Sequence, residues 1–335
     1  MAFKLLIIRF SSIGDIVLTT PVVRCIHDQR PDIEIHYLTK KRFSAILENN
    51  PYINKVYSFD SQLTEVIPDL KKERYDFVLD LHHNIRSRYT LLSIKRSYRS
   101  FNKLNIEKWL MVSFKINRLP AVHIVDRYLE TARSLGIKND GKGLDFFIPL
   151  NQEIKISEQF PELAKGFIAF VTGGNHNTKI FPADMVAGVC RSLNLPVVLL
   201  GGKEDAERGN ITEYLSEGKV VNLCGKLSLM ESASIVRQAA AVISNDTGLM
   251  HIAAAFRKPL VSIWGNTIPE FGMYPYMSPE VPSLISEVKG LSCRPCSKIG
   301  YKECPLKHFN CMRNQDIAEI IFFVNQIVKA NTSNK

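Results

Sequence analysis

The residue in this sequence best placed to act as a base is an aspartate just past an apolar run. Asp15 closes the segment Ser11-Ser12-Ile13-Gly14-Asp15, directly after Phe3–Arg9. In a parallel sheet, ligands sit outside the carboxyl ends of the strands. Gly14 permits a tight turn or the close approach of a ligand. Asp15 then projects from the first turn of a helix, where a carboxylate can accept a proton. Ser, Asp and Gly also favour helix starts for structural reasons alone, so capping explains the same residues. The G-x-G-x-x-G spacing of a dinucleotide fingerprint is missing.

A second cluster has the makings of an anion cradle. Ser244-Asn245-Asp246-Thr247-Gly248-Leu249-Met250-His251 lies between a strand pattern and a helix pattern. A helix start offers free N–H groups and the positive end of a dipole, which suits a diphosphate. Gly248 would let a phosphate approach and Thr247 would donate to it. His251, four residues past Thr247, shares its helix face. Asp246 would repel phosphate if it pointed inward, so it is expected to cap the helix or to bind a sugar hydroxyl. A well-capped helix with a core histidine is the bland alternative. A third segment, Gly173-Gly174-Asn175-His176-Asn177-Thr178-Lys179, follows another strand pattern. Glycines and then a cation suit an anionic leaving group, whose developing charge Lys179 would neutralise. A surface loop would look the same. The loops Gly201–Asp205 and Cys224–Leu227 are candidate walls for a base and ribose. Glu231 can reach a ribose hydroxyl, but it also completes a capping box with Ser228.

Two further features are compositional. Cys293, Cys296, Cys304 and Cys311, with His308, fall within 19 positions. They could hold a structural zinc, though the second pair is loosely spaced, and reduced cysteines packing a loop are the alternative. A catalytic role is not expected of them. The net charge is +10, and nine cations between Arg86 and Arg118 face a single acid, Glu107. Arg86, Arg88, Arg96 and Arg99 are among these cations, and Trp109, Leu110, Met111, Val112 and Phe114 interleave with them. The mixture suits an anionic membrane face or an acidic acceptor. Nucleic acid is a second target for charge of this kind.

The elements that must position these residues follow from hydrophobic periodicity. Phe3–Arg9, Glu34–Leu38, Asn54–Phe59 and Phe77–Leu81 read as strands, with helix patterns at Gly14–Arg30 (bent or broken at Pro21), Gln62–Lys72 and His123–Leu135. The pattern restarts at Gly166–Thr172, with further strands at Val197–Leu200, Val220–Leu223, Ala241–Ser244 and Leu260–Trp264. Helices alternate with them at Pro182–Leu193, Asp205–Ser216, Ser228–Ala239 and Leu249–Phe256. Alternation of this kind predicts α/β architecture: two Rossmann-like, doubly wound parallel sheets, separated by the polar stretch 139–159. A length of 335 residues fits two domains, and 45% hydrophobic with 23% charged residues is ordinary globular composition. Lys4 and Arg9 interrupt the first apolar run, and no stretch approaches the ~20 apolar residues of a membrane span. A cytoplasmic protein with reduced thiols is expected.

Taken in order, RFSSIGDIVLTTPV at 9–22, TKIFP at 178–182, SNDTGLMHIAAA at 244–255 and PLVSIWG at 259–265 resemble the heptosyltransferase family, glycosyltransferase family nine. The Cys-rich stretch at 292–312 also looks like a tail seen in many members. The resemblance implies the GT-B fold, with two Rossmann-like domains facing across a cleft. Residues 1–150 would bind a lipid acceptor and 151–313 a nucleotide-sugar, and the helix in 314–335 would cross back to the first domain. It implies that Asp15 is the base of an inverting transfer, that Lys179 contacts the donor, and that Asp246, Thr247, Gly248 and His251 form the donor site. Glu231 would lie near the ribose, and Gly173 and Gly174 before Lys179. The donor it suggests is ADP-heptose and the acceptor the lipid A–core of lipopolysaccharide, at the cytoplasmic face of the inner membrane. It implies no cofactor, and no metal for catalysis. A GT-B nucleotide-sugar epimerase and a non-catalytic binder of anionic lipid or nucleic acid are the rivals. The binder accounts for the charge but not for the ordered glycine, lysine and DTG elements, so no nucleic-acid partner is expected.

Overall fold

The apolar runs become strands of two separate all-parallel sheets in the computed structural model, which describes residues 3–333. The chain divides into two units, Met1–Leu104 with Val122–Phe147, and Asn105–Ala121 with Ile148–Lys335. In the first, β1 (Phe3–Ile8), β2 (Ile33–Lys40), β3 (Lys55–Phe59), β4 (Phe77–Asp80) and β5 (Tyr98–Ser100) take the order β3-β2-β1-β4-β5. Leu5 and Ile7 of the central strand pair with Ile35 and Tyr37 on one side, and with Phe77 and Leu79 on the other. Both faces of β1 are covered, which is why its sequence is a near-continuous apolar run rather than an alternation. The helix pattern around Pro21 is broken rather than bent. The chain makes a short helix, Ile13–Val17, and starts a second at Thr20–Gln29 with Pro21 in its first turn, where a missing N–H costs nothing. Arg24 of that second helix is buried. Its guanidinium donates to both carboxylate oxygens of Asp140, at 2.8 and 2.9 Å, and pairs with Asp145, fastening the chain's return at 140–145.

The second unit holds β6 (Ile168–Val171), β7 (Val197–Leu200), β8 (Val220–Asn222), β9 (Ala241–Asn245), β10 (Leu260–Trp264) and β11 (Ser283–Glu287), in the order β11-β10-β9-β6-β7-β8. The edge strands β5 and β11 escaped the sequence reading. β5 is only three residues long and largely exposed, and β11 has polar residues (Ser283, Ser286, Glu287) at most of its positions, so neither shows the apolar run that marked the others. In both sheets the strand order reverses beside a central strand, between β1 and β4 and between β6 and β9. That is the place where doubly wound sheets receive ligands.

Two expectations about domain boundaries need correction. The last helix, Ile317–Ser333, was expected on the first domain. Its Ile320, Val324, Ile327 and Val328 instead enter the core of the second unit with Val186, Val189, Ile243 and Val261. Asn325 accepts from the Asn194 N–H at 3.0 Å and donates to the Ser192 carbonyl at 3.1 Å. Its apolar side therefore completes the sheet it follows. The boundary at 150 is also not a single cut. The helix Asn105–Phe114 and its following turn join the second unit, where the Lys115 ammonium donates to the carbonyls of Pro295 (2.7 Å) and Cys293 (3.3 Å). Lys298 donates to the Asn105 carbonyl at 3.1 Å, and Lys108 stands 5.7 Å from the Phe271 ring centroid. The basic segment 86–118 is thus divided between the two units. Among the described residues, no helix is long and apolar enough to cross a membrane.

Candidate active site

In the first unit, Asp15 stands beyond the carboxyl end of β1, at the reversal of strand order. It occupies the third position of the helix Ile13–Val17. The Ser12 N–H and hydroxyl donate to its Oδ2 at 3.1 and 2.7 Å, so the capping role read from sequence is real. Its Oδ1 lies 2.6 Å from Nη2 of Arg9. Arg9 is buried and fastened on every side: Nε donates to the Ser11 carbonyl (2.7 Å), and Nη1 donates to the Leu81 carbonyl (2.6 Å) and the Tyr128 hydroxyl (2.9 Å). A guanidinium out of water needs a counter-charge. Burial opposes that charge, and the Asp15 carboxylate more than restores it, holding Arg9 cationic. Asp15 remains 18% exposed, so a substrate hydroxyl can reach its carboxylate from solvent.

Around this pair the edge is strongly cationic. Burial and the Arg9 charge push the Lys103 ammonium down, while Asp80 and Asp15 pull it back. Burial, Arg42 and Arg86 do the same to Lys40 at the end of β2. Asp80, fully buried at the end of β4, accepts from the N–H groups of His82 (3.0 Å) and His83 (2.7 Å) and from the Ser87 hydroxyl (2.8 Å). His82 packs tilted on Phe10 with ring centroids 4.7 Å apart. Burial, reinforced by Arg9, pushes its pKa down to about 3.

That shift has a measurable sign. The folded value lies below the ordinary 6.5, so the unfolded chain binds the extra proton. The stability held by neutral His82 is full above pH 6.5 and declines as the pH falls toward 3. Urea titrations across that window are expected to show a slope approaching about 1.4 kcal/mol per pH unit from this residue, and His82→Asn to flatten it. An unchanged slope in the variant would contradict the assignment.

In the second unit, the loops after β6 and β9 meet at the other reversal. The buried Asn245 side chain ties them together, a role the sequence did not reveal. Its amide donates to the carbonyls of Thr172 (3.1 Å) and Gly173 (3.3 Å), and its oxygen accepts from the Phe181 N–H (3.3 Å). Thr247 is the N-cap of Gly248–Ala255, in extended backbone, with its Oγ1 3.3 Å from the Ser244 Oγ. The start of that helix therefore lies beside the Gly173–Lys179 loop. Asp246 neither caps nor faces away. Its carboxylate pairs with the Lys179 ammonium, and its Oδ2 accepts from the Thr267 hydroxyl at 3.1 Å. Two loops far apart in the chain thus meet through the Lys179–Asp246 ion pair.

Other expected donor residues land differently. His251, one turn into the helix Gly248–Ala255, is only 2% exposed. Glu231 makes both halves of its capping box, accepting from the Ser228 N–H at 2.7 Å while its own N–H donates to Ser228 Oγ at 3.2 Å. Gly173 has a structural reason to be glycine, since a Cβ there would strike the Asp205 carboxylate. At Gly174 a Cβ would press on Ile180 at 3.1 Å. Arg86, Arg88, Arg96 and Arg99 are exposed on the first unit. The cysteine loop shows Cys296 Sγ donating to the Cys293 carbonyl at 3.1 Å, and Cys293 Sγ 3.9 Å from His308 Nε2. Among the described residues, no three His, Cys, Asp or Glu side chains gather in a group able to hold a metal ion. Burial pushes the Cys311 thiol up to about 12 and the Cys296 thiol up to about 11.

With this geometry in hand, similarity to known proteins becomes informative. The sequence model of glycosyltransferase family 9 (heptosyltransferase) matches residues 63–305. A lipopolysaccharide heptosyltransferase 1 from Campylobacter coli is 28% identical over 295 residues, 79% of this chain and 84% of that protein. A lipopolysaccharide heptosyltransferase 2 from Escherichia coli K12 is 24% identical, over 80% of this chain and 84% of its own. Among solved structures, the Escherichia coli ADP-heptose LPS heptosyltransferase II superimposes with a TM-score of 0.73 at 19% identity, over 98% of this chain and 100% of that one. An Escherichia coli heptosyltransferase solved with ADP gives 0.65 at 18% identity, over 97% and 100%. The expected GT-B fold is shared with these structures.

Proposed function

This chain belongs to glycosyltransferase family 9, the heptosyltransferases, and from that premise we propose that it transfers a heptose from ADP-heptose to the lipid A–core of lipopolysaccharide. The transfer is a single inverting displacement. Asp15 accepts the proton of an acceptor hydroxyl as that oxygen attacks the anomeric carbon, and ADP departs from the opposite face. Lys179 and the helix start at Thr247-Gly248 receive the diphosphate charge. An ordinary carboxylate is a weak base but is ionised at neutral pH, which suffices when the proton moves late. Arg9 pairs with Asp15 and orients its carboxylate.

The observation that carries this reading is positional. The base candidate and the anion cradle each occupy the reversal of strand order at the carboxyl edge of their own sheet. The lipid-linked acceptor puts the enzyme at the cytoplasmic face of the inner membrane, held there by charge rather than by a span.

A thermal-shift panel of nucleotide diphosphate sugars followed by a transfer assay tests the reading. ADP-heptose is expected to raise the melting temperature more than other nucleotide-sugars, and the lipid A–core to gain one heptose. Release of nucleotide without any acceptor would favour the epimerase chemistry and overturn the proposal.

A further inference from the structure

The helix Ile85–Ile94 carries large apolar side chains on both its buried and its exposed face. Its buried face carries Ser87, Thr90, Leu91 and Ile94, spaced i, i+3, i+4 and i+7. The opposite stripe, with the same spacing, carries Ile85, Arg88, Tyr89 and Leu92. Ile85 is 88% exposed, Leu92 74% and Tyr89 47%. An ordinary surface helix turns its apolar stripe inward and its polar residues to water. Here two hydroxyl residues point in, held by bonds from Ser87 Oγ to Asp80 and from Thr90 Oγ1 to the Arg86 carbonyl, and three large apolar ones point out.

The charge on this surface has one sign. Arg86, Arg88, Lys95, Arg96 and Arg99 are all exposed, and no Asp or Glu occurs between Leu81 and Ile106. Among the described residues none of the five pairs with a carboxylate. The nearest acid on the neighbouring helix Ile67–Lys72 is Asp69, which is already paired with Lys72 at 2.8 Å. Past the helix end, Lys95 through Ser100 line a shallow, open groove of about 650 Å³. The groove ends on the three-residue edge strand β5, where Tyr98 is 45% exposed.

We propose that this stripe is a membrane-docking surface that inserts Ile85, Tyr89 and Leu92 at the headgroup boundary of an anionic phospholipid bilayer. Apolar side chains flanked by cations, with no acid among them, match such a boundary in both components. A soluble protein partner would not require every charge to be positive. The idea rests on the lipid-linked acceptor proposed above, and narrows the basic segment 86–118 to one helix face and the edge strand that follows it. The cations of Asn105–Phe114 and its turn are left out, because Lys115 and Lys108 are engaged within the second unit.

The test uses the full-length protein and vesicles of phosphatidylethanolamine, with and without phosphatidylglycerol. The wild type is expected to co-sediment with the anionic vesicles and not with the neutral ones. Ile85→Ser with Leu92→Ser is expected to lower partitioning about tenfold or more at any salt, since two large apolar side chains leave the interface. Arg88→Glu with Arg96→Glu is expected to lower it about as far at low salt and less at high salt. Both double variants should melt near the wild type, because every changed side chain is exposed. Both should keep transfer to detergent-dispersed acceptor while losing it to vesicle-embedded acceptor. Equal vesicle binding by wild type and both variants would overturn the surface, as would co-sedimentation with neutral vesicles alone or binding to RNA in preference to vesicles. Failure of the catalytic reading would look different: vesicle binding as described, with no heptose transferred to any acceptor.

Discussion

Asp15→Asn is expected to lower the heptosyl transfer rate by about a thousandfold while leaving ADP affinity within about twofold of wild type. A positioned general base contributes about 10² to 10⁴ in rate, and the amide cannot accept the proton. The amide oxygen still accepts from Ser12, so the first turn of the helix is kept. What changes besides the chemistry is Arg9, left buried with its counter-charge removed. Breaking such a pair costs about 3–5 kcal/mol, so a lower melting temperature should accompany the lost rate. Arg9→Gln in the Asp15→Asn background is expected to recover part of that stability without recovering rate. Single-turnover kinetics and calorimetry with ADP read the two effects separately. Transfer above about a tenth of wild type in Asp15→Asn would remove the residue from the base role.

The second large effect lies in the other unit. Lys179→Ala is expected to reduce transfer by about 10² to 10³, the range seen when one preorganised charge donor is removed from a developing anion. The structure adds a reason for the loss to be large. Lys179 is paired with Asp246, and removing the lysine exposes the leaving diphosphate to an uncompensated carboxylate. Asp246→Asn added to Lys179→Ala is therefore expected to run faster than Lys179→Ala alone, by about tenfold. The two sites should show a coupling energy of about 1–3 kcal/mol in a double-mutant cycle, as contacting charged residues do. Losses that simply add would mean that Asp246 does not face the phosphate and that the pair is a structural tie only.

The sequence was legible wherever a residue's surroundings lie close to it in the chain. Strands β1, β2, β4, β6, β7, β9 and β10 announced themselves as apolar runs, because a parallel strand is covered on both faces. The capping of Ser12 by Asp15 and of Ser228 by Glu231 was visible because three residues separate the partners. Shared spacing on a helix does not say how deep each residue sits, and only the fold shows that His251 is 2% exposed.

From the chain alone came the two α/β series, the sheet-edge position of Asp15, the glycine- and lysine-bearing loops, and a resemblance strong enough to name a family. Only the tertiary structure decided that Arg9, which reads as a charge interrupting a strand, is the partner of Asp15, fastened to Leu81 and Tyr128 far along the chain. It also decided that Lys179 meets Asp246, that the helix 105–114 joins the second unit, and that the stripe from Ile85 to Leu92 faces water. The division has one physical cause. Periodicity and capping are energies between near neighbours, whereas ion pairing, burial and unit membership depend on which distant segments arrive to remove water from a side chain.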